Sequence, residues 1–337
     1  MSARRSLIPM ALMACGLLAA CGDAGPTADE LAAVEYAPDP AADPDVTWPV
    51  STPERQGLDP DLVAEAYWNA ERLESIYSLL VVKDGQLVAE RYFHEGWENL
   101  QTNVQSVTKS YTSALVGIAI EEGCLAGLDE PMMTYFPELV DRVEDPRKEQ
   151  ITIRQLLQMR AGYPWLESTA EGKELLYSGF RPSNVVDVPL KRDPGSGWDY
   201  SNLSSHFLAI AVARGCEADL MDFAQEHLFG PLGVAPLDWT VDWEGYRLGY
   251  TELFASAREL ARFGQMYLDG GQWDGAQVVP SSWVEESWQP YTEDAWYYTV
   301  GANFGRTAYG YQWWIIDAGP HTYYLAWGHG GQQIAVL

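Results

Sequence analysis

Strand-like and helical segments are segregated along this chain, and their order limits the fold more than any other feature. Ser78 to Val82 and Leu87 to Phe93 are strand-like and flank Asp84-Gly85, a strong hairpin signal. Late in the chain Tyr309 to Ile316, Tyr323 to Trp327 and Gln333 to Leu337 read as strands again. Between them the apolar spacing is helical: Ser106 to Glu122, ended by Gly123, then Ile153 to Met159, Ser204 to Arg214 and Leu220 to Phe229. Asp59-Pro60 caps and opens an earlier helix to about Leu73, and Ser256-Ala257-Arg258-Glu259 is a capping box for a helix to about Leu268. This order predicts an α+β fold: one antiparallel sheet built from both chain ends, flanked by helices, with an all-helical domain inserted. Residues 51–337 are taken as the folded region, with 51–125 and 231–337 as its α/β part and 126–230 as its helical part.

Composition narrows the function. The chain of 337 residues is 47% hydrophobic, enough to bury a sizeable core. Its 48 Asp and Glu outnumber 21 Lys and Arg, for a net charge of −27. Such a chain is repelled by phosphate backbones, so no nucleic-acid partner is expected. Five scattered histidines and four cysteines show no metal-ligand spacing, so neither a metal nor another cofactor is expected.

The first twenty residues read as an address. Arg4 and Arg5 precede an apolar run from Leu7 to Ala20, the length of a signal-peptide core rather than of a membrane span. Leu18-Ala19-Ala20-Cys21 resembles the bacterial lipobox, which implies cleavage before Cys21 and lipidation of its sulfur. The expected location is the bacterial cell envelope, facing the periplasm or exterior, with lipid rather than basic residues holding the membrane. Residues 22–50 hold seven acids and no Lys or Arg, and with Cys21 they read as a solvated tether. Cys124 and Cys216 each follow a helical pattern ending in Gly. An oxidising compartment permits either a bridge between them or two buried thiols.

Three motifs carry chemistry. Ser106-Val107-Thr108-Lys109 sits where the long helix begins, so a hydroxyl and an amine share one helical face. The positive end of a helix disfavours an ammonium there, which suits Lys109 to take the Ser106 proton. The bland alternative for Ser106 is a plain N-cap. Tyr200-Ser201-Asn202 follows the loop Pro194 to Trp198. The Tyr200 phenol fits a proton relay if a nearby cation lowers its pKa, and otherwise it is a core tyrosine. Gly328-His329-Gly330-Gly331 follows a strand, where glycines let a substrate backbone approach or simply make a turn. Tyr163 and Trp165, after Gly162, are candidate aromatic walls of a cleft.

The ordered triplet resembles the serine β-lactamase and penicillin-recognising hydrolase superfamily, in its class C-like branch. Further segments share the likeness: Leu79 to Gly85, Gly123 to Asp129, Ile151 to Leu157, Pro231-Leu232-Gly233 and Ala261 to Gly264. The resemblance implies a site between an α/β and a helical domain, with Ser106 as acylated nucleophile, Lys109 as its base and Tyr200 as second acid/base. The branch commonly has Lys-Thr-Gly on its third strand, where this chain has His329-Gly330-Gly331. Short His-Gly variants look more like its esterases, amidases and 6-aminohexanoate-dimer-type hydrolases. By the same resemblance the second oxyanion N–H falls to His329 or Gln332, and Gly330, Gly331 and Asn202 complete the substrate set. The expected partner is a small-molecule ester or amide. A β-lactamase or D-Ala-D-Ala peptidase is the alternative enzyme, and a non-catalytic cell-envelope binding protein the alternative class. Members continue for another strand and a C-terminal helix, so a truncated reading frame is expected.

The lipobox reading has a direct outcome. In a bacterial host with lipoprotein processing, the full-length chain incorporates labelled palmitate and Cys21→Ala does not. Equal labelling of the two would contradict the assignment.

Overall fold

The computed structural model describes residues 25–40, 47–293, 295 and 304–337, so Cys21 and the twenty residues before it lie outside the described residues. Helix α1 runs Pro60–Glu71, with the Asp59 side chain accepting from Asp61 N. The hairpin follows as predicted, with β1 at Ser78–Lys83 and β2 at Gln86–Tyr92 in antiparallel register. Strand β3, Thr102–Asn103, leads to helix α2, Thr108–Glu121, which is buried from Thr108 to Ala119 on every face. Helix α3, Ile153–Leu157, is held by a capping box from Thr152 and Gln155. Helix α4, Asn202–Gly215, is as enclosed as α2 and packs against it. Strands β4, Asp238–Trp239, and β5, Leu253–Ala255, join β3 in a small sheet of order β3-β5-β4. The Ser256–Glu259 capping box opens helix α5, Ala257–Leu268.

The late sheet has five antiparallel strands: β6, Thr292–Glu293; β7, Phe304–Tyr309; β8, Trp314–Ala318; β9, His321–Trp327; and β10, Gln333–Val336. They lie in the order β10-β9-β8-β7-β6. The run Tyr309 to Ile316, expected as one strand, is two strands joined by a reversal. Gly310 N donates to the Trp313 carbonyl at 2.9 Å, and Gln312 takes φ 63°. Gly310 is needed there, because a Cβ would lie 2.0 Å from the Ser287 carbonyl oxygen. Apolar content is the same on both sides of the turn, so hydrophobicity alone does not reveal it.

Two further expectations are corrected. The early hairpin and the late sheet form separate ladders among the described residues rather than one continuous sheet. Both rest on α5 instead: Ala261 packs with Leu80, Val82 and Leu87, while a Cβ on Gly264 would lie 2.6 Å from Ile334 Cγ2. Alternating side chains report which face is buried, but not which edge is paired, and an edge needs a neighbour about 4.8 Å away. The stretch 22–50 is also more than a tether where it is described. Tyr36 packs on Tyr67 at 5.3 Å between ring centroids and accepts Glu90 N through its carbonyl at 2.8 Å. Trp48 is buried beside Leu87 and Trp273, and Leu87 N donates to the Pro49 carbonyl. The acidic average of the segment conceals two aromatic anchors. Among the described residues no helix is long and apolar enough to cross a membrane.

Cys124 and Cys216, left open by the sequence, are bonded across the C-terminal ends of α2 and α4. The bridge spans 92 residues and so restrains the unfolded chain strongly. Replacing both cysteines by alanine should cost about 2–4 kcal/mol of stability. Chemical denaturation of oxidised wild type and the double variant tests this, and equal midpoints would contradict it.

Candidate active site

Strain and a helix together place Ser106. It lies in the turn Gln105–Val107 that leads into α2, and Gln105 before it is left-handed at φ 52°. Residues with a β carbon seldom adopt that region, so something must hold it. Asn103 does: its Oδ1 accepts from Gln105 N at 2.8 Å and from Glu252 N at 3.1 Å, and Glu252 is itself left-handed at φ 60°. One amide oxygen thereby fixes both the residue before Ser106 and the segment 249–253.

Three side chains of α2 lace to that same segment. Thr112 Oγ1 donates to the Gly249 carbonyl at 2.9 Å, and Lys109 Nζ donates to the Tyr250 carbonyl at 3.0 Å. Thr108 Oγ1 accepts from Leu253 N at 3.4 Å. Gly249 is squeezed between helices, since a Cβ would lie 2.4 Å from the Ser205 carbonyl oxygen.

Lys109 is 1% exposed, and its Nζ also donates to Ser106 Oγ at 2.9 Å. Burial pushes its amine down to about 7, opposed by the charge of Glu167. The sequence placed the cause in the helix terminus; loss of water around the amine is the larger effect. Both hydrogen-bond partners of the amine are neutral oxygens, so a proton on Nζ is held without a contacting counter-charge.

Tyr200 stands just before α4, on an aromatic floor. Its ring stacks on Trp314 of β8 at 5.7 Å and meets Tyr309 edge-on at 6.2 Å. Lys109 Nζ lies 4.8 Å from the ring centroid. Burial raises the phenol's pKa, a hydrogen bond with Ser106 lowers it, and Glu167 raises it; the net movement is upward. The condition set for a relay, lowering by a nearby cation, is not met: burial is the largest effect, and the phenol keeps its proton at neutral pH.

The Gly328–Gln332 turn joins β9 to β10 and presses against the residues before Ser106. A Cβ on Gly328 would lie 2.6 Å from the Val104 carbonyl oxygen and 3.0 Å from Gln105 Cβ. Gly328 N donates to the Gln332 carbonyl, and Gly331 N donates to the Gly328 carbonyl at 3.1 Å. The Gly331 N–H is thus engaged inside the turn, which removes it as an oxyanion donor. Exposed Gly330, at φ 108°, lets the turn close, leaving His329 and Gln332 as its candidate donors. Asn202 Nδ2 donates to Glu167 Oε1 at 2.5 Å, which ties the start of α4 to the turn Leu166–Ser168. Tyr163 is core rather than cleft wall: its buried hydroxyl donates to the Val185 carbonyl at 2.7 Å.

Sequence reasoning missed Asn103, Glu167, Tyr250 and Gln312. Gln312 is buried in the β7–β8 reversal and binds three helices. Its carbonyl accepts from Ser110 on α2, its Oε1 accepts from Ser205 on α4, and its Nε2 donates to the Leu157 carbonyl on α3. None of these residues belongs to a periodic pattern; each acts across more than a hundred residues or from an irregular loop. Among the described residues no three His, Cys, Asp or Glu side chains gather where a metal ion would be held.

Comparison with known proteins gives this geometry a family. The beta-lactamase family model matches residues 63–337, and the chain belongs to that family. It is 27% identical to the 6-aminohexanoate-dimer hydrolase of Paenarthrobacter ureafaciens over 72% of this chain and 66% of that protein. Esterase EstB of Burkholderia gladioli is 29% identical over 41% of this chain and 38% of the esterase. The chain thus spans just under two thirds of the first of these relatives and little more than a third of the second. A solved Bacillus anthracis structure, provisionally named a 6-aminohexanoate-dimer hydrolase, superposes with a TM-score of 0.61 at 25% identity. It covers 77% of this chain and 69% of its own. The α+β fold predicted from segment order is shared with this solved structure.

The Asn103 clamp has a measurable role. Asn103→Ala should lower stability by about 1–3 kcal/mol, because two backbone donors lose one acceptor. Asn103→Asp keeps the acceptor and should restore most of that loss in thermal unfolding. Equal destabilisation by the two substitutions would contradict the clamp.

Proposed function

We propose that the chain is a serine hydrolase that cleaves a small ester or amide through an acyl-enzyme on Ser106. One observation carries the reading: a buried Lys109 amine, with a pKa near 7, lies 2.9 Å from the Ser106 hydroxyl. An ordinary N-cap serine needs no such neighbour. Membership of the beta-lactamase family supports the same reading.

The steps follow from the groups present. Neutral Lys109 accepts the Ser106 proton as Oγ bonds to the substrate carbonyl carbon, and the carbonyl oxygen becomes an oxyanion. Ser106 N and a donor of the 328–332 turn are assigned to that oxygen. Tyr200, still protonated, gives its proton to the leaving oxygen or nitrogen as that bond breaks, and is reprotonated from the Lys109 ammonium. Water then attacks the acyl-enzyme, loses a proton to the same pair and releases the acid and free Ser106. His329 replaces the lysine with which the β-lactam-cleaving branch holds a carboxylate, which favours simple esters and amides. A lipid anchor at Cys21 belongs to the same proposal, supported by the Leu18–Cys21 pattern, and would set the enzyme in the cell envelope.

Hydrolysis of a p-nitrophenyl ester tests the assignment. Ser106→Ala should abolish turnover and fluorophosphonate labelling. Lys109→Ala should lose about a thousandfold or more, and Lys109→Arg nearly as much, since guanidinium gives up no proton. Tyr200→Phe should fold and lose most turnover. Because Lys109 acts as a base, wild-type kcat/KM should rise about tenfold per pH unit up to pH ~7 and then level. Turnover by folded Ser106→Ala at the wild-type rate would end the proposal.

A further inference from the structure

Asp199 stands one residue before Tyr200 and is only 2% exposed. Its charge is met by two cations of one loop: Lys191 Nζ lies 2.6 Å from Oδ1, and Arg192 Nε lies 2.5 Å from Oδ2. Both cations reach inward from partly exposed positions, so the buried carboxylate is the fixed point and the loop folds around it. A buried carboxylate is costly unless it is paired, and the pairing holds its partners in a narrow geometry. The loop is also pressed against its neighbours. A Cβ on Gly162 would lie 2.4 Å from the Arg192 carbonyl oxygen, and one on Gly197 would lie 2.2 Å from Arg192 Nη1.

The residues on either side of Tyr200 are both tied to buried Met159. Asp199 N donates to the Met159 carbonyl at 3.0 Å, and Ser201 N donates to its sulfur at 3.3 Å. These anchors supply what the aromatic floor does not. Stacking on Trp314 sets the plane of the Tyr200 ring, but a stacked ring still slides along its neighbour. A slide of about 1 Å is enough to take the hydroxyl out of reach of Ser106 or of a leaving group, with a large cost in rate. A proton donor on such a floor therefore needs its main chain pinned, and Asp199 is the charged pin beside it.

We infer that Asp199 is a positioning residue for the Tyr200 phenol: with Lys191 and Arg192 it fixes where the proton donor stands, and so sets which leaving groups the enzyme can expel. This rests on the serine-hydrolase reading and names a further residue of the same site. Asp199 acts on the reacting atoms only through Tyr200, so its effect belongs to the steps in which the leaving group needs a proton. p-Nitrophenolate departs as an anion near neutral pH, whereas an alkoxide or an amide nitrogen departs only when protonated. The Asp199 anchor is therefore what alkyl esters and amides depend on and activated esters do not.

Two hexanoate esters, p-nitrophenyl and ethyl, decide it through the ratio of their kcat/KM values, which report the acylation step. Asp199→Asn, shown to be folded by a cooperative thermal transition, should widen the preference for the p-nitrophenyl ester by at least about tenfold, with most of the loss on the ethyl ester. Asp199→Glu keeps the charge and should return part of the ethyl ester activity. Tyr200→Phe should widen the same ratio, and in that background Asp199→Asn should add nothing. Where Asp199→Asn does not fold, Arg192→Gln, made at the more exposed partner, carries the same prediction with a smaller widening. Equal losses on both esters in the folded variant would make Asp199 a support of the fold alone and overturn the inference. An unchanged ratio, or a further widening in the Tyr200→Phe background, overturns it as well. Ester turnover that survives Ser106→Ala overturns the hydrolase reading itself, and that variant reads it separately.

Discussion

The desolvated amine of Lys109 is the constraint around which the rest of the site is arranged. An ammonium sealed from water without a contacting carboxylate is costly, and the group responds by giving up its proton more easily. That response requires walls that exclude water yet still supply two acceptors at 2.9 and 3.0 Å. Helices α2 and α4 provide the exclusion, because each is buried on all sides for most of its length. The Tyr250 carbonyl provides one acceptor, and its position depends on the neighbouring bonds of Thr112, Thr108 and Asn103.

Polar hubs rather than a continuous ladder hold the layers in register. Gln312 ties α2, α3 and α4 to the β7–β8 reversal, and Asn103 ties the Ser106 turn to the segment before β5. Elsewhere α5 serves the early hairpin and the late sheet together, though the two share no backbone pairing among the described residues. Buried polar side chains of this kind have directional bonds, which fix positions that apolar contacts alone leave loose.

What was legible in the sequence was local. Asp59 before Pro60, Ser256 three residues before Glu259, and Asp84-Gly85 between two strands each act within a few residues, and each forms the element it signals. Ser106 and Lys109 were found for the same reason, since helical spacing places them side by side. What failed was long-range or averaged. Two strands in Tyr309 to Ile316 merged because their apolar character is uniform, and Tyr36 and Trp48 vanished into an acidic background. The pKa of Tyr200 stayed open, because enclosure by Trp314 and Tyr309 is not visible in the sequence. Glu167 had no signal, because its partner Asn202 lies 35 residues away across a loop.

The aromatic floor beneath Tyr200 has an optical consequence. Trp198 and Trp314 lie 6.3 and 5.7 Å from the Tyr200 ring, and 5.8 Å from each other. Indole emission depends on charges and proton donors at that range. Under the proposed mechanism, a change of protonation at Tyr200 or Lys109 takes place beside two chromophores. On that reading the protein carries its own reporter, and the fill and discharge of the proposed acyl-enzyme should be visible as tryptophan light without any label.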